Sequence, residues 1–143
     1  MIENSSTIFV DTNIPMYAVG KEHPLRSACR QVMDYISEEA VDVLTDVEVH
    51  QEILHRYLSL KMAEQARQVS LYFQQLVPTI LPITLADLVR ARELGKDYPT
   101  LRARDLIHVA VMVNNSLRRI LSADTHFDIV AEIERIPPER FSP

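Results

Sequence analysis

Short unbroken apolar runs alternate along this chain with longer stretches in which apolar residues return every three or four positions. Thr7-Ile8-Phe9-Val10, Val41-Asp42-Val43-Leu44, Thr79-Ile80-Leu81-Pro82 and Arg119-Ile120-Leu121-Ser122 are of the first kind. They read as buried strands, with Ile133-Glu134-Arg135-Ile136 a fifth. Pro82 ends its strand or places it at a sheet edge, because it cannot donate to a ladder. Between the runs the period is helical. Residues 14–19 open with Pro15 in a first turn, and residues 25–39 put Ala28, Val32, Tyr35 and Ile36 on one face. Thr45 or Asp46 caps a helix that carries Val49, Ile53, Leu54, Tyr57 and Leu58 inward. Residues 61–77 repeat the pattern through Ala66, Val69, Phe73 and Leu76. Thr84 caps residues 85–94, with Gly95 as the stop, and residues 101–115 are apolar on most sides. A short helical segment covers residues 124–131. Strands alternating with helices predict an α/β fold: a three-layer α/β/α sandwich with a mainly parallel central sheet, in a single domain over residues 1–143.

Composition narrows the class. Of 143 residues, 47% are apolar and 24% charged, which suits a folded domain with a real core and argues against disorder. Only two glycines and eight prolines imply short connections. Cys29 is the sole cysteine, which excludes an internal disulfide or a cysteine-based zinc site and fits a reducing, cytoplasmic setting. No apolar run approaches the ~20 residues of a membrane span, and Met1-Ile2-Glu3-Asn4 does not open a signal peptide. The net charge of −5 opposes passive, charge-driven binding to nucleic acid, unless bound cations cancel some of the carboxylates.

Three aspartates sit awkwardly. Asp105 lies on the apolar helix, within Arg104-Asp105-Leu106-Ile107-His108-Val109-Ala110, where an ionised carboxylate is costly without a partner. A plain alternative is a first-turn acid answering the helix dipole, near Thr100 or Arg102. Asp11 and Asp124 each follow a strand directly, at the end of a parallel sheet where ligands bind. Taken singly, they read as an Asx-turn residue and a helix cap. Gathered together they would repel one another without a cation between them. Asn13 excludes the paired-aspartate start of the haloacid-dehalogenase phosphatases. Glu48 and Glu52 share one helix face and compete for a further place. Glu52 is preferred because Glu48 stands in the first turn, where the dipole alone favours an acid. Asp128 reads first as a solvated surface acid, with a place in the site as the alternative.

Asp11-Thr12-Asn13 after an apolar strand, a mid-chain helical glutamate, the Arg104-to-Ala110 segment and Ser122-Ala123-Asp124-Thr125-His126-Phe127 together resemble a PIN domain over nearly the whole chain, and within that family the VapC-type toxin ribonucleases. The resemblance implies an acidic quartet of Asp11, Glu52, Asp105 and Asp124 that coordinates Mg²⁺ or Mn²⁺ and cleaves RNA. It implies an RNA substrate, a small antitoxin partner and a homodimer, and no role at a membrane. Ser122 stands where the family often has threonine, which keeps the hydroxyl. Hard divalent cations favour such oxygen donors, and can polarise a water for phosphodiester hydrolysis.

The remaining polar residues carry weaker signals. His108 reads as a packed, hydrogen-bonded core residue, and His126 first as a surface residue, with a place near the site entrance as the alternative; His23, His50 and His55 have no metal-binding spacing. Arg102, Arg104, Arg118 and Arg119 are candidates for phosphate contacts, with solvated or ion-paired arginines the default. Thr12, Asn13 and Ser122 are placed to hydrogen-bond the acids or a phosphate. Two readings compete with the toxin nuclease: a PIN-like RNA-processing nuclease without toxin role, and a catalytically silent acidic-pocket module. A phospho-receiver needs a lysine opposite its aspartate, and no lysine follows Lys96.

Overall fold

The computed structural model describes residues 6–143. The segment Met1-Ile2-Glu3-Asn4, read above as no signal peptide, lies outside the described residues. Five strands, β1 (Ile8–Val10), β2 (Val43–Asp46), β3 (Ile80–Leu81), β4 (Arg119–Leu121) and β5 (Glu134–Ile136), form one sheet of order β3-β2-β1-β4-β5. Every neighbouring pair is parallel. Phe9 in the central strand stands opposite Leu44 on one side and Ile120 on the other. Among the described residues six α-helices flank the sheet: α1 (Asn13–Val19), α2 (Arg26–Ser37), α3 (Val47–Ser59), α4 (Ala63–Leu76), α5 (Leu85–Asp97) and α6 (Ala103–Asn114). This is the sandwich expected from the alternation of apolar periods. The chain builds outward from β1 through β2 to β3, then crosses back to lay β4 and β5 on the other side. The order therefore reverses between β1 and β4, and a crevice opens beyond their carboxyl ends.

The central strand is unbroken core: Ile8, Phe9 and Val10 are all essentially sealed from solvent, as are Ile120 and Leu121 of β4. Burial of such side chains contributes about 1.5–3 kcal/mol each, and it fixes the positions of the strand ends where the acids stand. β2 lies two residues further along than the apolar run suggests: Val41 and Asp42 stay outside it, and Thr45 and Asp46 continue its extended backbone. Thr45 Oγ1 donates to Val10 O at 2.9 Å, tying β2 to β1. Asp46 is the cap of α3, its carboxylate accepting from Val49 N. Thr84 and Asp87 make a reciprocal capping box at the start of α5.

Three local expectations are corrected. Leu54 and Leu58 are exposed, because the buried stripe of α3 is Val49, Ile53 and Tyr57 at four-residue spacing, and residues one position on lie about 100° around the helix. Gly95 does not stop α5, which continues to Asp97; a Cβ there would meet Leu106 Cδ1 of α6 at 3.4 Å, so the glycine marks where two helices pack closely. The helix expected from Lys61 begins at Ala63, since Lys61 has φ 58° and closes α3. Glu39 and Ser116 close α2 and α6 in the same left-handed conformation. In each case the following amide reaches back to a carbonyl five residues earlier, as in Ala40 N to Tyr35 O, Met62 N to Tyr57 O and Leu117 N to Met112 O. No helix among the described residues is long and apolar enough to cross a membrane.

Candidate active site

Asp11 leaves β1 with its amide still bonded to Leu121 O of β4, so its side chain is aimed over the end of the sheet. Its Oδ1 accepts from Thr12 N at 2.8 Å, and its Oδ2 accepts from Ser122 Oγ at 2.6 Å and Asn13 Nδ2 at 3.1 Å. Asn13 Oδ1 accepts from Ala123 N, while Ser122 Oγ accepts from Asp124 N. These bonds stitch the end of β1 to the end of β4 across more than 100 residues of chain. Burial pushes the Asp11 carboxyl up to about 6, against the pull of the His108 charge and the Ser122 hydroxyl.

His108 lies at the centre of the acids. Its Nδ1 is 2.8 Å from Asp46 Oδ2, its Nε2 is 2.6 Å from Glu52 Oε1, and Asp11 Oδ1 is 3.9 Å away. Ionised carboxylates only accept, so both ring nitrogens donate and the ring is an imidazolium. Burial opposes that charge, but Asp46, then Glu52 and Asp11, outweigh it and hold the His108 pKa well above its ordinary value. The reading of His108 as a buried, hydrogen-bonded residue holds, and it also supplies the site with a cation.

Asp105, in the first turn of α6, has a different environment. Its Oδ2 is buried with no hydrogen-bond partner among the described residues. Burial and the neighbouring Asp124 both raise its pKa. Asp105, Asp124 and His126 each offer one ligand atom within 4.8 Å of the others, and His126 Nδ1 is 3.0 Å from Asp124 Oδ1. An orphaned carboxylate oxygen beside a second carboxylate and an imidazole nitrogen fits a divalent cation, the chemistry that such a donor set serves.

Asp11, Glu52, Asp105 and Asp124 all border one cleft of about 680 Å³. Glu48 does not; it faces Arg104, whose Nε is 3.8 Å from its Oε1. Asp128 is bound by Arg135, at 2.7 Å and 3.2 Å, and also stays outside the cleft. Of the four arginines, Arg104 borders the cleft, while Arg119 starts β4 and bonds Ser6 O at the opposite end of the sheet. Arg118, next to it, is at that far end too, and Arg102 is exposed outside the cleft. Lys21 and Arg56 border the cleft instead. Thr12 Oγ1 is buried there without a hydrogen-bond partner among the described residues.

Sequence reasoning gave Asp46 only a capping role; His126 is exposed, as read, and stands beside Asp105 and Asp124. The signal for Asp46 was available, since it ends a parallel strand as Asp11 nearly does. The pairing with His108, 62 residues on, was not.

The sequence matches the family profile of the PIN domain over residues 8–133. The chain belongs to the PIN domain family. Among PIN proteins it is 37% identical over 129 residues to a VapC ribonuclease of Mycobacterium bovis and to ribonuclease VapC13 of Mycobacterium tuberculosis, covering 90% of this chain and 98% of theirs. Solved structures share the PIN fold at low identity. The Mycobacterium tuberculosis VapC20, a sarcin-ricin loop cleaving toxin, superposes with TM-score 0.71 at 14% identity, over 88% of this chain and 96% of that one. The VapBC2 complex of Rickettsia felis, bound to a DNA fragment from its promoter, gives 0.72 at 14% identity, over 91% and 97%.

Proposed function

We propose that this chain is an endoribonuclease that hydrolyses RNA phosphodiester bonds with the help of Mg²⁺ or Mn²⁺, as the toxin of a toxin–antitoxin pair. The observation that carries the reading is Asp105 Oδ2, buried without a hydrogen-bond partner among the described residues, in a cleft bordered also by Asp11, Glu52 and Asp124 from distant segments and by Glu22. The ribonuclease relatives at 37% identity support the reaction class.

Asp105 and Asp124 would hold the cation, with His126 beside them, and Asp11 and Glu52 would complete the set. When bound, the cation supplies Lewis acidity, drawing charge from a phosphodiester and making a neighbouring water more acidic. The chain supplies the rest. Ser122 and Asn13 hold the Asp11 carboxylate in one orientation. His108 balances Asp46 and Glu52, so the acids stay together before any cation arrives. Thr12 Oγ1, buried without a hydrogen-bond partner among the described residues, would donate to a phosphate oxygen that reaches it, and Lys21, Arg56 and Arg104 would offset the negative charge of an entering backbone.

A small antitoxin protein is the expected partner, in line with the toxin–antitoxin complex of Klebsiella pneumoniae among the structural neighbours. The chain works in the cytoplasm as a homodimer; Leu85, Leu88 and Val89, exposed on one face of α5, give a second copy an apolar surface to cover.

The test is a digestion of a mixed RNA pool with Mg²⁺, with Mn²⁺ and with EDTA. Internal cuts that need the cation and vanish in Asp105→Asn are expected. Metal binding without cleavage of any RNA would instead favour a silent interaction module, and cleavage undiminished by EDTA would remove the cation from the reaction.

A further inference from the structure

One wall of the cleft is aromatic, and nothing in the metal chemistry uses it. Tyr17, on α1, and His23, in the loop before α2, stack with ring centroids 4.1 Å apart and planes within 10°. Both rings border the cleft and both are only half-buried. The imidazole is fixed in orientation, because its Nδ1 accepts from Leu25 N at 3.1 Å. That bond leaves Nε2 as the ring nitrogen that carries the proton in the neutral form. Tyr17 is four residues beyond Asn13, one turn and about 6 Å along the same face of α1, and Asn13 touches Asp11 directly. An aromatic stack thus stands one helical turn from the acids. Lys21 and Arg56, cations that border the same cleft, have no ion-pair partner among the described residues.

A backbone-only binder needs cations along the cleft and no stacked rings. A protein that takes unpaired nucleotides uses flat aromatic faces, since every base has a π-face and a duplex hides it. We infer that the Tyr17–His23 stack is a subsite for the unpaired base of a nucleotide neighbouring the scissile phosphate, with Lys21 and Arg56 taking the adjoining backbone charge. The inference rests on the ribonuclease reading for the polymer that enters, and adds which two rings receive its base.

The experiment measures binding apart from cleavage. A short single-stranded RNA carrying 2-aminopurine is titrated with the protein in EDTA, with fluorescence quenching as the readout of stacking and anisotropy as the readout of binding. The expected result is quenching by the native chain, with Kd raised about 5- to 100-fold in Tyr17→Ala and in His23→Ala. Tyr17→Phe should keep both the quenching and the affinity, while duplex RNA of the same sequence should show neither. Thermal midpoints of the variants identify any loss of fold, and Tyr17→Leu, which keeps apolar bulk without a ring, replaces Tyr17→Ala should that variant fail to fold. Unchanged Kd and quenching in Tyr17→Leu and His23→Ala overturn the subsite. Adding Mn²⁺ afterwards separates the two readings. RNA that is bound and quenched but never cut refutes the ribonuclease and leaves the subsite. RNA that is cut, with affinity indifferent to both rings, refutes the subsite and leaves the ribonuclease.

Discussion

His108 and Glu52 are 56 residues apart in the chain, yet His108 Nε2 lies 2.6 Å from Glu52 Oε1, with the other ring nitrogen on Asp46. The contact makes the acidic site partly self-neutralising. A cation arriving in the cleft enters a cluster that already contains one buried positive charge.

Removing that charge should be costly. His108→Ala leaves Asp46, which is fully buried, and Glu52 without their shared donor. Breaking a buried pair in this way costs about 3–5 kcal/mol, to be read from urea unfolding. The His108 pKa is raised in the folded state, so its stabilisation is complete below the ordinary histidine value and is lost as pH rises through the folded value. The difference between native and His108→Ala stability should therefore shrink at strongly alkaline pH. A deficit that grows there would contradict an imidazolium.

Metal affinity should fall in mild acid. The Asp11 pKa is raised from 3.8 to about 6, so the folded state holds a proton there that the unfolded state has already lost. The contribution to stability is present below 3.8 and is lost as pH rises through 6, while a cation requires the deprotonated form. Calorimetric titration with Mn²⁺ should show proton release near pH 6 and roughly tenfold weaker binding per pH unit below it. Affinity that is flat from about pH 5 to 7 would remove Asp11 from the ligand set.

Asp105→Asn should separate catalysis from stability. The carboxylate is raised by burial and by Asp124, so a neutral amide relieves repulsion in the metal-free chain. The expected outcome is a thermal midpoint equal to or above that of the native chain, with cleavage lost and little further stabilisation on adding Mn²⁺.

Ser122→Ala removes the buried hydroxyl that donates to Asp11 at 2.6 Å and accepts from Asp124 N and Asn13 Nδ2. A hydrogen bond to a charged group contributes about 1.5–3 kcal/mol, and its loss should raise the Asp11 pKa above about 6. Titration of the variant by its metal-binding pH profile would move to higher pH; an unmoved profile would mean that Ser122 only fills space.

Two backbone positions offer stability without touching the cleft chemistry. Gly95→Ala places a Cβ at ordinary contact distance from Leu106 within α5, and should add about 0.5–1 kcal/mol. Lys61→Gly relieves a left-handed backbone at the end of α3, where a side chain costs about 1–2 kcal/mol, set against the greater freedom of glycine when unfolded. Both are checked by denaturant midpoint, and a loss at Gly95 would mean that the α5–α6 contact cannot give.

Most of the architecture was legible in the chain because burial of a parallel strand demands consecutive apolar residues, and Ile8-Phe9-Val10 and Ile120-Leu121 meet that demand without ambiguity. Helix ends were less so. α2, α3 and α6 close on Glu39, Lys61 and Ser116 in a conformation that usually advertises itself through glycine, and Gly95 lies inside α5 instead of at an end. Glu48 and Glu52, one helical turn apart, could not be ranked firmly from periodicity, since both share a face; packing of α6 against α3 brings His108 to Glu52 and Arg104 to Glu48.

The sequence by itself determined the order of strands and helices and the strand ends at which Asp11 and Asp124 appear, because these follow from local periodicity and chain direction. Only the tertiary structure decided which groups neutralise which. Charge interactions depend on distance in space, and the sheet order that brings β4 beside β1 and α6 against α3 puts Ser122 on Asp11 and His108 between Asp46 and Glu52.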